Sequence, residues 1–304
     1  MKIGFIGLGR MGKNMVLRIA KAGKKVVAYN RHPEPVKEVM KAGAEGAFSL
    51  KEFVSKLDSP KIVWVMVTSS AVDEIFEELV PLLSKGDIIV DGGNSNYHLT
   101  LARNEMLKKK GINFMDAGVS GGLVAAKLGY CIMAGGDKEV FKKVEPFIKA
   151  ASVSEGYLHT GPVGSGHYVK MIHNAIEYGM MQAIGEGFEL LEKGPYKDLD
   201  YHKISHLWNN GSIVRGLLME MTESAFSKDS KLSKISGYIA DNGEGKWAVQ
   251  EAMDFNVPFA VNSFALFERY RSRENDTMSD KLVAAIRDEF GGHGVKSKGK
   301  GKKD

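Results

Sequence analysis

The sequence predicts an α/β amino-terminal domain with a doubly wound, mostly parallel sheet, followed by an all-α domain built on a long central helix. Three observations predict this architecture. Apolar strand segments alternate with helical patterns through the first half of the chain, strand patterns stop at about residue 161, and a long, largely apolar helical pattern begins at residue 163.

Six short apolar segments of the first half are predicted strands: 2–6, 25–29, 62–67, 87–90, 113–116 and 130–133. Helical patterns lie between them, for example over 72–83, 99–109 and 138–150. Further helices are predicted over 163–193, 200–209, 212–226, 244–255, 262–272 and 278–289. The Gly-Pro-Val-Gly turn at 161–164 is the natural junction, so we expect domains over 1–162 and 163–293 and a disordered basic tail over 294–304.

The amino-acid composition predicts a soluble globular protein without a membrane span or a disulfide framework. Of the 304 residues, 43% are hydrophobic and 26% are charged, which is typical of a soluble globular protein. No apolar run approaches the roughly 18 residues of a membrane span. The lone cysteine, Cys131, excludes an internal disulfide framework and favours a cytoplasmic location. Because its neighbours are apolar, we expect it to be packed in the core.

The net charge of +5 is concentrated at one end of the chain. The last ten residues hold five Lys and one Asp, or +4, so residues 1–294 carry only +1. A nucleic-acid-binding surface is therefore not predicted. His202 and His206 are four residues apart on a predicted helix, but no third ligand accompanies them, so no metal site is predicted.

A Gly-x-Gly-x-x-Gly motif follows the first predicted strand and opens a helix, as in the Rossmann dinucleotide-binding fold. Such a turn brings the cofactor pyrophosphate to the helix N-terminus. The residues predicted to contact the cofactor are Gly7, Leu8, Gly9, Arg10, Met11, Gly12, Asn30, Arg31, Val67, Thr68 and Asn94.

The end of the second strand bears on the choice of cofactor. An NAD site usually places Asp or Glu there to bind the ribose 2′-hydroxyl, whereas this chain has Asn30 followed by Arg31. A guanidinium suits a 2′-phosphate, so NADP is favoured over NAD. The alternative is that Arg31 is only a surface charge at the end of a strand.

Four polar residues form one line on the long, mostly apolar helix. Lys170, His173, Asn174 and Glu177 have offsets of 0, +3, +4 and +7, which places them on a single face. Burying an amine, an imidazole and a carboxylate is costly unless they pair or meet a ligand, so the line is a candidate reaction site. Alternatively, these are the ordinary i,i+4 pairs of a solvated helix.

Two further Gly-rich loops follow strands, at 91–95 and 118–122. In a doubly wound sheet, ligands bind in the crevice at the carboxyl ends of the strands. The loops can therefore present Asn94, Ser120 and backbone N–H groups to an anionic substrate.

Together these segments resemble the β-hydroxyacid dehydrogenase family and, within it, the decarboxylating 6-phosphogluconate dehydrogenases. The resemblance rests on residues 4–12, 91–95, 119–122 and 170–178 and covers almost the whole chain. It implies oxidative decarboxylation of 6-phospho-D-gluconate to D-ribulose 5-phosphate and CO₂ in the pentose phosphate pathway, with Lys170 and Glu177 as catalytic residues and no metal. The substrate-binding residues that it implies are Asn94, Ser120, Gly121, Gly122, His173, Asn174, Tyr178, Arg215, Arg287 and His293.

The resemblance also implies a homodimer or a dimer of dimers in which Arg287 and His293 complete a neighbouring site. The chain is similar to a short form of the family, because it lacks a duplicated helical half. Asn242 and Glu244 stand where longer members place a Lys and a Thr against the substrate phosphate.

Two other functions remain open. Another β-hydroxyacid dehydrogenase, acting on 3-hydroxyisobutyrate or tartronate semialdehyde, would need Lys170, Asn174 and Ser120 but no phosphate site. A non-catalytic NAD(P)-sensing protein would keep the cofactor motif alone, and the presence of both Lys170 and Glu177 argues against it.

Overall fold

A computed structural model describes residues 1–122, 124–275 and 277–291. The strands in these residues are β1 (Lys2–Ile6), β2 (Lys25–Tyr29), β3 (Glu45–Ala47), β4 (Ile62–Val65), β5 (Ile88–Asp91), β6 (Asn113–Ser120), β7 (Tyr130–Gly136) and β8 (Ser152–Gly161). The helices of the first half are α1 (Arg10–Lys21), α2 (Pro33–Met40), α3 (Leu50–Ser55), α4 (Val72–Leu79), α5 (Tyr97–Lys109), α6 (Ala125–Leu128) and α7 (Lys138–Ala151), with 3₁₀ turns at Ser69–Ala71 and Val80–Leu82. The helices of the second half are α8 (Ser165–Lys193), α9 (Tyr201–Asn209), α10 (Leu217–Lys228), α11 (Glu244–Asp254), α12 (Ala260–Arg271) and α13 (Met278–Gly291).

The strands form one eight-stranded sheet in the order β3-β2-β1-β4-β5-β6-β7-β8. Neighbouring strands are parallel except β6 and β7, which are antiparallel. The predicted α/β fold, with its helical second half and long helix, is therefore confirmed. The chain order reverses at β1, and the carboxyl ends of β1, β4, β5 and β6 lie along one edge of the sheet, where ligands of such folds bind.

Apolar side chains cover both faces of the sheet. On β4, Ile62 and Trp64 belong to one core cluster, whereas Val63 and Val65 belong to the other. Helices α1, α2 and α7 cover the first face, and α3, α4 and α5 cover the second. Continuous apolar strands of this kind are expected when a parallel sheet is buried on both sides.

Four local predictions were wrong. Residues 152–161 form β8 although no strand was predicted after 133, and β3 was also missed. Helix α10 begins at Leu217 rather than at 212, because Gly211 and Gly216 adopt positive φ angles of 100° and 145° that end one helix and precede the next. Cys131 is exposed rather than packed in the core, since the strand alternation turns it away while Tyr130 and Ile132 are buried.

The chain forms two compact units. One contains Met1–Ile176 together with Glu244–Phe255, and the other contains Glu177–Gly243 and the described residues from Asn256 onward. A small core of Phe188, Tyr201, Met219 and Phe226 stabilises the second unit. The division at residue 162 stays a prediction, and the tail at 294–304 lies outside the described residues.

Helix α8 is less buried than its sequence predicts. Met171 and Ala175 are buried, but Val169, Ile176 and Met180 are exposed, so the helix presents an uncovered apolar face in the single chain. No helix in the described part of the chain is both long enough and apolar enough to cross a membrane.

Candidate active site

The start of α8 is fixed to the sheet by a buried carboxylate of β6. The two Asp116 oxygens accept hydrogen bonds from the backbone N–H groups of Gly164 and His167, each at 2.7 Å. The first N–H groups of a helix lack partners within the helix, and Asp116 satisfies them from the neighbouring strand. The position of the first turns of α8 therefore follows from that of β6.

Three glycines let α8 approach the sheet closely. A Cβ at Gly118 would lie 2.3 Å from the Lys170 Cβ and 2.7 Å from the Gly166 carbonyl oxygen. A Cβ at Gly166 would lie 2.5 Å from the Met133 carbonyl oxygen, and one at Gly135 would lie 2.5 Å from Asp116 Oδ1. Backbone therefore contacts backbone here, and the Lys170 side chain lies directly over β6.

Lys170 is 4% exposed and its amine is hydrogen-bonded. Nζ donates to Asn174 Oδ1 and lies 3.4 Å from His173 Nδ1. His173 Nδ1 is in turn 3.0 Å from Asn174 Oδ1. The structure thus brings together three of the four residues in the polar line, and it places them in a buried cluster rather than in solvated surface pairs.

A fourth member of the cluster was missed by the sequence reasoning. Glu244, the first residue of α11, is 2% exposed, and its Oε2 accepts a hydrogen bond from Asn174 Nδ2. In the sequence, Glu244 was noted only because it replaces a phosphate-binding residue of longer family members. No local pattern could have revealed the contact, because the two partners are 70 residues apart.

Helix α11 has a second anchor in the first unit. Buried Glu251 accepts a hydrogen bond from the Tyr97 hydroxyl at 2.8 Å, and its other oxygen lies 2.9 Å from His98 Nε2. Burial raises the pKa of the Tyr97 hydroxyl, and the bond to Glu251 raises it further. Helix α11 is thus attached to α8 at its start and to α5 near its end.

The loop after β6 reaches the same cluster. Ser120 Oγ, at the end of the strand, lies 3.4 Å from His173 Nε2. Gly121 and Gly122 follow with positive φ angles, and a Cβ at Gly122 would meet none of the described residues within 4 Å. The loop therefore offers backbone and open space beside the His173 imidazole.

Asn94 connects the two strands that carry the Gly-rich loops at 91–95 and 118–122. Its amide accepts a hydrogen bond from the Val119 N–H at 2.9 Å and donates one to the Val119 carbonyl at 3.1 Å. The residue has a φ of 52°, in the left-handed region that Asn tolerates. In this structure the Asn94 side chain thus stabilises the loop after β5 against the end of β6.

The same loop is fixed by an ionic network centred on the buried Arg103. Asp91, which is fully buried, accepts hydrogen bonds from Ser95 Oγ at 2.8 Å and from Arg103 Nη1 at 3.1 Å. Arg103 also binds both oxygens of Asp73 on α4, at 2.7 and 3.0 Å. This contact holds the pKa of the Asp73 carboxyl below its ordinary value of 3.8. The sequence reasoning did not identify Arg103.

The turn between β1 and α1 has the geometry of a dinucleotide site. A Cβ at Gly7 would lie 2.4 Å from the Met66 carbonyl oxygen, and one at Gly12 would lie 2.1 Å from the Gly7 carbonyl oxygen. A Cβ at Gly9 would meet nothing within 4 Å. Two glycines thus permit close packing, and the third leaves open space before the first N–H groups of α1, where a pyrophosphate fits.

The end of β2 differs from a simple NADP site. Asn30 Oδ1 accepts a hydrogen bond from the Leu8 N–H at 2.9 Å, so this amide supports the glycine turn. The exposed Arg31 forms an ion pair with Glu74 at 2.5 Å. The guanidinium already has an acidic partner, which a 2′-phosphate would have to displace. Val67 and Thr68 follow β4 at the same edge of the sheet, and Val67 packs against Gly7.

The remaining predicted residues belong to the second unit. Glu177 is half-buried on α8, whereas Arg215 and Arg287 are exposed. The Tyr178 hydroxyl donates to Asn242 Oδ1 at 3.1 Å, and the Arg269 guanidinium carbon lies 3.4 Å from the centre of the Tyr178 ring. Arg269 was not among the site residues predicted from the sequence. His293 lies outside the described residues.

Sequence profiles match the two halves of the chain. Residues 2–161 match the NAD binding domain of 6-phosphogluconate dehydrogenase, and residues 166–279 match the C-terminal domain of 6-phosphogluconate dehydrogenase. The chain belongs to the 6-phosphogluconate dehydrogenase family. It is therefore an NAD(P)-dependent dehydrogenase, and the expectation that it is an enzyme of this family is confirmed.

Individual members of the 6-phosphogluconate dehydrogenase family differ in length. A Bacillus subtilis protein named "Putative 6-phosphogluconate dehydrogenase YqeC" is 48% identical over 98% of this chain and 100% of the relative. An NAD(+)-dependent, decarboxylating 6-phosphogluconate dehydrogenase of Haloferax volcanii is 41% identical over 98% of this chain and 99% of the relative. The Plasmodium falciparum 6-phosphogluconate dehydrogenase structure has a TM-score of 0.82 at 31% identity, covering 99% of this chain but 67% of its own. The chain is thus a short form.

Proposed function

We propose that the protein catalyses the oxidative decarboxylation of 6-phospho-D-gluconate to D-ribulose 5-phosphate and CO₂, with reduction of NAD(P)⁺. One observation carries this proposal. The buried Lys170 amine, joined to Asn174 and His173, lies over β6 at the edge of the sheet where the glycine turn of the cofactor site also lies.

Lys170 is the proposed base for the oxidation step. Removal of a hydride from the carbon of a secondary alcohol requires a group that takes the hydroxyl proton, and a neutral amine can do so. Burial disfavours the charged form of an amine and so promotes this role. The nicotinamide, when bound, supplies the hydride acceptor.

The same amine then serves as an acid. Oxidation leaves a β-keto acid, which loses CO₂ readily when its carbonyl oxygen receives a proton from Lys170. The enediol that remains needs a proton on carbon, and Glu177 is the proposed donor. Ser120, His173, Asn174 and the backbone at 121–122 would bind the substrate hydroxyls and carboxylate.

The substrate phosphate is assigned to cationic residues. We propose Arg215, Arg287 and His293, with Tyr178, as its partners, on the basis of the sequence resemblance. Arg287 and His293 would come from a neighbouring copy, so the active form would be at least a homodimer. The exposed apolar side chains of α12 support association of this kind.

NADP is proposed as the preferred cofactor because Arg31 follows β2 in place of an acidic residue. The Arg31–Glu74 ion pair opposes this preference, because a carboxylate beside the guanidinium repels a 2′-phosphate. The fit of the glycine turn supports binding of either dinucleotide.

The test is turnover by the purified protein. Reduction of NADP or NAD should depend on 6-phosphogluconate and should be accompanied by an equal amount of CO₂. 3-Hydroxyisobutyrate and tartronate semialdehyde (the latter with the reduced cofactor) serve as comparison substrates. The proposal fails if either of these is used in preference to 6-phosphogluconate, or if cofactor is reduced without release of CO₂.

A further inference from the structure

The buried carboxylate of Glu244 is linked to the proposed catalytic amine through one amide. Glu244 Oε2 accepts from Asn174 Nδ2, and Asn174 Oδ1 accepts from Lys170 Nζ. All three side chains are buried, with exposed fractions of 2%, 7% and 4%. Lys170 is thus joined to a carboxylate on a different helix, although the two side chains are far apart in sequence.

The arrangement fixes which end of the Asn174 amide faces Lys170. An amide group has a donor end and an acceptor end, and a carboxylate accepts only from the donor end. Glu244 therefore holds the carbonyl oxygen toward the amine. The negative charge of Glu244, separated from the amine by one amide group, also favours the charged form of the amine over the neutral form.

We infer that Glu244 is a positioning residue that orients Asn174 and stabilises the ammonium form of Lys170 produced when the amine takes the substrate proton. The catalytic role of Lys170 belongs to the proposed function, on which this inference rests. The effect of Glu244 on the protonation of Lys170 can nevertheless be measured without substrate.

Other titratable groups lie on the elements that carry the cluster or on elements next to them. His173 on α8 contacts Lys170, His167 lies one turn earlier on α8, and Asp116 of β6 binds the start of that helix. Asp91 is paired with Arg103, and Glu251 on α11 binds Tyr97 and His98. A measurement on the Lys170 amine itself therefore accompanies the pH profile.

The first experiment is the pH dependence of kcat/KM for Glu244→Gln. Glutamine keeps an oxygen that can accept from Asn174 but removes the charge, so the pKa of Lys170 should fall. Because the base works only when neutral, the acid limb of the profile should move to lower pH by about 1–2 units. Glu244→Asp, which keeps the charge, should lower kcat and leave the acid limb within about half a unit of wild type.

Glu251→Gln is the matched control. It removes a buried carboxylate from the same helix without touching Asn174, and its acid limb should coincide with that of wild type. If Glu251→Gln shifts the limb as much as Glu244→Gln, a general effect of α11 explains the shift and the inference is overturned.

The second readout is the pH dependence of acetylation of Lys170 by a trace of acetic anhydride, quantified by mass spectrometry of the peptide. The acetylation of Lys170 increases with pH as the amine becomes neutral, and this increase should begin at a lower pH in Glu244→Gln than in wild type. Glu244→Ala, which removes the same charge, should give the same direction and serves if Glu244→Gln does not fold. Unchanged labelling profiles in the variants that fold overturn the inference, whereas failure of wild type to oxidise 6-phosphogluconate overturns only the proposed function.

Discussion

At the scale of single residues, the behaviour of Lys170 depends on opposing influences. Its 4% exposure disfavours the ammonium, whereas its hydrogen bond to Asn174 Oδ1 favours it. A group that must accept a proton and then return it requires this kind of balance, since either extreme would block one of the two steps.

Lys170→Ala and Lys170→Arg should each lower kcat by roughly 10²–10⁴-fold. Alanine removes the base, and arginine keeps a cation that does not deprotonate in proteins. Cofactor affinity, measured by calorimetry, should stay within about twofold of wild type, because the glycine turn lies on other elements. Turnover near the wild-type level in either variant would exclude Lys170 as the base.

The Arg31–Glu74 pair leads to a prediction on cofactor choice. Glu74→Gln should raise the ratio of kcat/KM for NADP over NAD by about 2–5-fold, as expected when an exposed ion pair that competes with a 2′-phosphate is removed. Arg31→Ala should lower that ratio. In the double variant, Glu74→Gln should not raise this ratio above its value in Arg31→Ala alone. A rise in the absence of Arg31 would contradict the explanation.

Sequence reasoning found the residues that follow one another on a helix and missed those that meet across the fold. Lys170, His173 and Asn174 were found because helical periodicity fixes which of them share a face. Glu244 and Arg103 were missed because their partners lie on other elements, and a sequence alone does not say which elements pack together.

At the scale of elements, the close approach of α8 to β6 places the amine. Gly118→Ala would put a methyl group 2.3 Å from the Lys170 Cβ, so α8 must move. We expect a loss of about 1–3 kcal/mol in the free energy of unfolding, as for other overpacked sites, and a lower kcat. Urea denaturation and turnover measure the two effects.

Gly185→Ala is the control for this substitution. Gly185 also lies in α8, but a Cβ there would meet nothing within 4 Å. Alanine in a helix interior is favoured over glycine by roughly 0.5–1 kcal/mol, so stability should be kept or increased. If Gly118→Ala behaved like this control, the close approach would not position Lys170.

The two strands that were missed are the edge strands of the sheet, β3 and β8. β8 is largely exposed or half-buried along its length, so it lacks the continuous apolar run that identified β1, β4 and β5. β3 has buried residues but is only three residues long, which is too short for a recognisable pattern. The interior of the sheet could therefore be predicted from sequence, and its borders could not.

At the scale of the whole molecule, exposed apolar side chains on α12 predict self-association. Val261, Phe264 and Phe267 share one face and are 71%, 67% and 52% exposed. Sedimentation velocity should show a dimer or larger species for wild type and a smaller species for Phe264→Glu, because a buried charge opposes association. Leu128→Glu, at an exposed apolar residue in the other unit, should leave the sedimentation coefficient unchanged. A wild-type monomer at micromolar concentration would contradict this prediction.

The glycine contacts beneath α8 have a consequence for altering the substrate range by protein engineering. Since Gly118 and Gly166 let α8 lie directly on the sheet and Asp116 holds the first turn of that helix, the position of the Lys170 amine is set by residues outside the loop beyond Ser120. Variants with a randomised loop beyond Ser120 could therefore be screened for activity on other hydroxy acids without a change in the position of the Lys170 amine.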